Sequence, residues 1–123
     1  MLTVVIADDE PNILLSLEFL MKKEGHRVFI ARDGAEAQEL IDAEKPDLLL
    51  LDVMMPKMNG HELCRYVRAQ PDLNHAKVIF LSARSKEADV QAGYEAGANL
   101  YIPKPFSTRD LVSRINQLMK PVG

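Results

Sequence analysis

The chain has 123 residues, enough for one domain that buries roughly two-thirds of the surface exposed by its unfolded form. With 47% hydrophobic and 27% charged residues and no Trp, the composition is that of a folded globular protein and excludes the disordered and fibrous classes. The formal net charge of -3 provides no basic surplus for nucleic acid, and the single cysteine, Cys64, cannot form an internal disulfide, which agrees with a reducing cytoplasm.

The first predicted element is a strand over residues 2–7, a β-branched run without the alternation of a half-exposed strand. Residues 11–24 then place apolar side chains at helical spacing, with Pro11 in the first turn and Gly25 just past the end. Acidic residues interrupt the first apolar run, and Asp52 ends the longest later one, so we expect neither a signal peptide nor a membrane span.

The same alternation of strand and helix continues along the chain. The later predicted strands are residues 27–31, 47–52, 77–82 and 100–102, and the later predicted helices are residues 34–43, 60–69, 86–96 and 108–120. Five strands that alternate with five helices through short connections predict a doubly wound α/β fold with a parallel sheet. We expect one domain over residues 1–120, and a tail or the start of a linker over residues 121–123.

Chemically active residues stand at the carboxyl ends of the predicted strands, which meet at the edge of the sheet where ligands bind. They are Asp8 and Asp9 after the first strand, Asp52 at the end of the third, Ser82 at the end of the fourth and Lys104 after the fifth. Two like charges about 4 Å apart repel by roughly 4 kcal/mol at an effective dielectric of about 20, so clustered carboxylates need counter-charges. Lys104 supplies one, and a divalent cation with oxygen ligands, most simply Mg²⁺, supplies the rest.

Asp52 is the candidate nucleophile, because it stands alone at the end of the most apolar strand and a carboxylate can attack phosphorus to form an aspartyl phosphate. The metal and Lys104 would neutralise the oxygens of the transferring phosphoryl group, which requires position and charge rather than a general base. Ser82 would donate a hydrogen bond to those oxygens. Asp47, at the opposite end of the same strand, is interpreted as a turn residue. For any one of the acids at the carboxyl edge taken alone, a solvated turn residue is likewise the alternative interpretation.

The remaining polar residues suggest no second site. The histidines His26, His61 and His75 lack metal-ligand spacing and are expected on the solvated surface. Cys64 is expected to be a packing residue, and Tyr101, from the residues alone, a half-buried strand aromatic with its hydroxyl in water.

The acid pair together with DVMMPKMNG (52–60), FLSA (80–83) and KPF (104–106) resembles the receiver domains of bacterial response regulators over essentially the whole chain. None of these motifs is specific alone, but their order and spacing together are. The resemblance implies the flavodoxin-like strand order 2-1-3-4-5. It also implies a phosphoacceptor switch of a two-component phosphorelay, located in the cytoplasm, that receives a phosphoryl group on Asp52 from a histidine kinase or phosphotransfer protein and is not a turnover enzyme.

The resemblance further implies a metal site for Mg²⁺ or Mn²⁺. Asp9, Asp52 and the backbone carbonyl of Met54 are implied to ligate the ion directly, and Asp8 to act through water.

The resemblance also implies that Ser82 and Tyr101 form a switch pair, in which the aromatic ring turns inward once the hydroxyl moves toward the phosphoryl group. The bond between Lys104 and Pro105 is implied to be cis, which would fix where the lysine points. An output domain or downstream protein is expected to bind the face of the fourth helix, fifth strand and fifth helix, with neither nucleic acid nor membrane as a direct partner.

Three other functions use a similar architecture. A flavodoxin-like enzyme or nucleotide binder needs a phosphate-cradling glycine loop, and neither G-x-G-x-x-G nor G-x-x-x-x-G-K-[ST] follows any predicted strand. A phosphatase of the haloacid dehalogenase type needs D-x-D on the first strand, which is absent. A receiver-like interaction module that works without phosphorylation is the principal alternative, and the intact acidic site argues against it.

Overall fold

The computed structural model describes residues 1–120, so the predicted tail at residues 121–123 lies outside the described residues. The strands are β1 (Thr3–Ala7), β2 (Arg27–Ala31), β3 (Leu48–Leu51), β4 (Lys77–Ser82) and β5 (Leu100–Pro103). They form one sheet in the order β2-β1-β3-β4-β5, and all neighbouring strands are parallel. The predicted doubly wound sheet and its strand order are confirmed.

Five helices connect and follow the strands. They are α1 (Pro11–Lys23), α2 (Gly34–Glu44), α3 (Gly60–Arg68), α4 (Glu87–Glu95) and α5 (Thr108–Leu118), and a 3₁₀ turn over Pro71–Leu73 precedes β4. Several predicted ends were wrong by one or two residues: β3 is shorter at both ends, and α5 stops at Leu118 rather than Lys120. Among the described residues, no helix combines the length and the apolar character needed to cross a bilayer.

The sheet is buried on both faces, which explains the run of leucines in β3. Leu48 and Leu50 pack on the side covered by α1 and α5, and Leu49 and Leu51 pack on the side covered by α2 and α3. Because both faces of this strand lie in the core, its end is held firmly in place. Asp52, the next residue, is therefore well positioned.

The parallel register aligns the ends of the central strands. Ala7 pairs with Leu51, Leu51 pairs with Phe80, and Ser82 pairs with Pro103. The residues that follow β1, β3 and β5 therefore emerge beside one another, together with the last residue of β4. This register brings the predicted site residues to one edge of the sheet.

Two close backbone approaches fix the loop between β3 and α3. A Cβ at Gly60 would lie 2.4 Å from the backbone oxygen of Asp52, and the Gly60 amide donates to the Val53 carbonyl at 2.8 Å. A Cβ at Gly34, the first residue of α2, would lie 1.8 Å from the backbone oxygen of Met58. Both positions require glycine because any side chain would collide with main-chain atoms.

A reciprocal capping box begins α3. The Asn59 side chain accepts from the Glu62 amide at 2.9 Å, and the Glu62 carboxylate accepts from the Asn59 amide at 3.3 Å. Each bond satisfies an amide that the first helical turn leaves without an intrahelical partner. The cap therefore ends the loop at a defined residue.

We expect Asn59→Ala to lower the free energy of unfolding by about 1 kcal/mol, because alanine has no side-chain oxygen for the cap. Asn59→Asp is the matched control and should retain the stability, since aspartate keeps the acceptor and adds favourable charge at a helix N-terminus. Urea unfolding followed by circular dichroism measures the difference. An alanine variant as stable as the wild type would show that the cap contributes nothing.

Candidate functional site

Three acidic side chains and one lysine meet at the carboxyl edge of the sheet. The Lys104 Nζ atom lies 2.8 Å from Asp8 Oδ2, 3.4 Å from Glu10 Oε1 and 3.8 Å from Asp52 Oδ2. One carboxylate oxygen from each of the three acids lies within 4.8 Å of the others. Asp8 and Asp52 are buried and Glu10 is exposed, so the cluster extends from the core to the surface.

Asp8 joins the end of β1 to the start of α1. Its amide donates to the Ala31 carbonyl at 3.2 Å, its Oδ1 atom accepts from the Glu10 amide at 2.9 Å, and its Oδ2 atom accepts from Lys104. The carboxylate thus turns the chain locally and holds the lysine. Both of its oxygens have a partner within the protein.

Burial and neighbouring charge disfavour the ionised form of Asp52. Its pKa is raised from 3.8 to about 6, first by loss of solvent and then by the negative charges of Asp8 and Asp9. The Lys104 ammonium and the backbone amide of Met54 act in the opposite direction without cancelling the effect. The carboxylate therefore stands in a site that favours additional positive charge.

Lys104 is held in its charged form. Burial acts to lower its pKa, but the hydrogen bond to Asp8 and the charges of Asp8, Asp52 and Glu10 raise the pKa above the usual value. The bond between Lys104 and Pro105 is cis, as the resemblance implies. The Lys104 side chain is only 10% exposed, and its backbone amide donates to the Ser82 carbonyl at 2.8 Å. A fixed ammonium therefore faces the two buried carboxylates.

A cleft of about 300 Å³ opens beside Asp52. Its lining includes Asp9, Met54, Ser82 and Arg84, together with Lys104. The acidic groups offer oxygen donors, the type that Mg²⁺ and similar hard cations prefer. The residues therefore fit a divalent cation beside an open cleft.

Ser82 and Tyr101 both contact the backbone of Arg84. The Ser82 hydroxyl accepts from the Arg84 amide at 3.1 Å, and the Tyr101 hydroxyl donates to the Arg84 carbonyl at 2.6 Å. Ser82 is buried and Tyr101 is 6% exposed, so the interpretation of Tyr101 as half-buried with its hydroxyl in water is wrong. One residue of the loop after β4 links the two side chains.

A family model for the response regulator receiver domain matches residues 4–116. The chain belongs to this family. It is 35% identical to a structure from Chloroflexus aurantiacus J-10-fl described as a response regulator, with coverage of 95% of this chain and 96% of that one and a TM-score of 0.89. It is 33% identical to the receiver domain of the Francisella response regulator 1452, with 96% of both chains covered and a TM-score of 0.88.

A third similar structure is the BeF3-activated N-terminal receiver domain of Klebsiella pneumoniae RstA. The identity is 29%, the coverage is 96% of this chain and 99% of that one, and the TM-score is 0.87. Receiver domains are signalling switches rather than turnover enzymes. They interact with histidine kinases or phosphotransfer proteins and bind Mg²⁺ at an acidic pocket. The cluster of Asp8, Glu10 and Asp52 around Lys104, called the acidic pocket below, is compact enough to hold a metal ion.

The structure also corrects the sequence interpretation at positions near this pocket. Glu10 was not predicted as a site residue, although it directly follows the acid pair, and its carboxylate reaches Lys104. The expectation that His61 lies on the solvated surface was wrong. Its ring packs edge-on against Phe80 with the two ring centroids 5.5 Å apart, and burial lowers its pKa. Within residues 1–120 its Nε2 atom is buried without a hydrogen-bond partner.

Other expectations away from the pocket were met more closely. Cys64 is buried among core side chains, as predicted for a packing residue, and burial raises its pKa to about 11. Asp47 lies at the opposite edge of the sheet, where its carboxylate accepts from the Thr3 amide at 2.9 Å, as predicted for a turn residue. His75 is exposed, whereas His26 is partly buried and accepts from the Leu2 amide.

The raised pKa of Asp52 predicts a pH-dependent stability. Between about pH 4 and 6 the unfolded chain has released this proton and the folded protein still holds it, so stability falls as the pH rises through this window. Without divalent metal, we expect Asp52→Asn to raise the free energy of unfolding by on the order of 2 kcal/mol at pH 7, with no gain below about pH 4. Added Mg²⁺ should reduce the difference, because the cation favours the ionised carboxylate.

The measurement is urea unfolding of both proteins in EDTA across this pH range. Asp47→Asn is the control, because it neutralises a carboxylate at the opposite edge and should give no such gain. Equal stability of wild type and Asp52→Asn at pH 7 would contradict the electrostatic account of the pocket.

Proposed function

We propose that this receiver domain, over residues 1–120, is a Mg²⁺-dependent phosphoacceptor switch. In this proposal Asp52 accepts a phosphoryl group from the phosphohistidine of a histidine kinase or phosphotransfer protein. The principal support is the position of Asp52, which directly follows the central strand and borders an open cleft, with the Lys104 ammonium 3.8 Å from its carboxylate. Membership of the receiver family agrees with this role.

The transfer exchanges one bond to phosphorus for another. An oxygen of Asp52 forms the O–P bond while the P–N bond to the donor imidazole breaks, and the electron pair of that bond stays on the nitrogen. Lys104 neutralises charge on the phosphoryl oxygens, and no general base is needed because Asp52 reacts as the carboxylate. With a pKa of about 6, most Asp52 is ionised at neutral pH. A bound Mg²⁺ would supply further neutralisation of the same oxygens and would favour the carboxylate form.

We propose Asp9, Asp52 and the Met54 carbonyl as the direct ligands of Mg²⁺ or Mn²⁺, with Asp8 acting through water. Asp9 and Met54 border the cleft beside Asp52, whereas the two oxygens of Asp8 already accept hydrogen bonds within the protein. The acids grouped by distance alone are Asp8, Glu10 and Asp52. We favour Asp9 over Glu10 because Glu10 already pairs with Lys104.

We propose Ser82 and Tyr101 as the switch pair. The Ser82 hydroxyl accepts from the Arg84 amide, so its own proton is available for a phosphoryl oxygen. A shift of Ser82 would move Arg84, whose carbonyl holds the Tyr101 hydroxyl. The output surface would be the face of α4, β5 and α5, on which an output domain or downstream protein would detect the change.

Acetyl phosphate labelling tests the acceptor. We expect the wild-type chain to gain the mass of one phosphoryl group in Mg²⁺ and none in EDTA, and Asp52→Asn to gain none in either. Asp47→Asn, with its substitution at the opposite edge, should label like the wild type. A wild type that neither labels nor binds beryllofluoride in Mg²⁺ would favour an interaction module that works without phosphorylation.

Metal affinity separates the two candidate ligand sets. We expect Asp9→Asn to weaken Mg²⁺ binding at least about tenfold, because loss of even a supporting group around a metal costs that much. Glu10→Gln is the matched neighbour and should change affinity little, since this side chain is 60% exposed and its charge is screened. Displacement of Mn²⁺ by Mg²⁺, followed by electron paramagnetic resonance, gives both constants. A larger loss in Glu10→Gln than in Asp9→Asn would make Glu10 the ligand.

A further inference from the structure

Because Gly93 has no side chain, the Tyr101 ring can occupy the space beside it. A Cβ at residue 93 would lie 2.6 Å from Tyr101 Cδ2 and 3.0 Å from Tyr101 Cε2. Gly93 lies inside α4 in ordinary helical backbone, unlike Gly97, whose φ of 113° favours glycine for its conformation. The reason for glycine at position 93 is therefore steric.

The Phe80 ring limits how far the Tyr101 ring can move toward the core. The Phe80 ring is fully buried, with its centroid 6.1 Å from that of Tyr101, and its Cδ2 atom would be 3.2 Å from the added Cβ. Behind Phe80 lie the His61 ring and the close approach at Gly60. A side chain at position 93 would therefore push the Tyr101 ring outward.

Glycine carries a cost at this position. In a helix interior it weakens folding by roughly two- to fivefold in the equilibrium constant relative to alanine. The N-cap residue of α4, Lys86, makes no side-chain capping bond within residues 1–120, although Glu87 and Asp89 place favourable charge in the first turn. Burial of the Tyr101 ring, with its hydroxyl on the Arg84 carbonyl, is the compensating gain.

We propose that Gly93 is a positioning residue for Tyr101, and that the absent side chain at this point of α4 sets how much of the population holds the ring inward. The consequence for signalling rests on the proposed function, because the inward ring is tied through Arg84 to Ser82. Residue 93 thereby biases the switch without touching the phosphoryl site. A larger residue here would turn the ring toward the face of α4, β5 and α5.

The first test is ¹⁹F NMR of protein that carries 3-fluorotyrosine. We expect Gly93→Ala to move the Tyr101 resonance to an exposed position with a larger H₂O/D₂O shift. Tyr94, on the same helix, and Tyr66 should keep their shifts and serve as internal controls. A Tyr101 resonance that stays buried and unchanged in Gly93→Ala would overturn the inference.

A double-mutant cycle separates steric contact from helix propensity. In the Tyr101→Ala background, Gly93→Ala should strengthen folding by roughly two- to fivefold, because only the helix effect is left. In the wild-type background this gain should be lost, and it should also be lost in Tyr101→Phe, which keeps the clashing ring atoms. The coupling between residues 93 and 101 should then be at least about threefold in the folding equilibrium constant. The same effect of Gly93→Ala in all three backgrounds would overturn the inference.

Beryllofluoride binding in the presence of Mg²⁺ tests whether the orientation of the Tyr101 ring affects binding at the Asp52 site. If Gly93→Ala lowers the inward fraction to about a tenth, the apparent affinity should weaken about tenfold. Unchanged affinity in a variant with an exposed ring would overturn the link between ring orientation and the site. A wild type that binds no beryllofluoride would overturn the proposed function instead, and the NMR and folding experiments would still decide the role of Gly93.

Discussion

The contact between the Lys104 ammonium and the Asp8 carboxylate holds the acidic pocket together. The two atoms lie 2.8 Å apart, and both side chains are almost entirely removed from solvent. Breaking one partner of a buried pair leaves an uncompensated charge, which is strongly destabilising. The same ammonium lies between Asp8 and Asp52, so it permits a second buried carboxylate beside the first. Burial and then the negative charges of Asp8 and Asp9 still raise the pKa of Asp52, and a metal cation beside this carboxylate would offset both effects.

The fold was predictable because its signals are local and repeated. A buried strand such as LLLL in β3 and the helical spacing in α1 each identify an element, and their alternation implies a parallel sheet. The strand-end rule then placed Asp8, Asp52 and Lys104 at one edge, where their side chains meet. The predicted ends of β3 were wrong by one residue each, because Asp47 and Asp52 lie just outside the strand although their amides still donate to carbonyls of β1.

Other parts of the site depend on packing that no pattern encodes. His61 stands next to the buried stripe of α3, which contains Leu63, Cys64 and Val67, and helical spacing alone does not show whether a residue at that border turns inward. The inward ring of Tyr101 occupies the space beside Gly93. The sequence shows a glycine within a helix but does not show which side chain packs against it. The role of Arg84 was hidden because main-chain atoms, common to all residues, make both of its contacts.

Arg84 therefore has two separate roles in the structure, one made by its backbone and one by its position beside the cleft. Its amide and carbonyl join Ser82 to Tyr101, and the residue also borders the cleft beside Asp52. Every residue except proline offers the same amide and carbonyl, so this connection tolerates almost any substitution. Position 84 can therefore vary beside the cleft while the backbone link between the Ser82 and Tyr101 hydroxyls is kept.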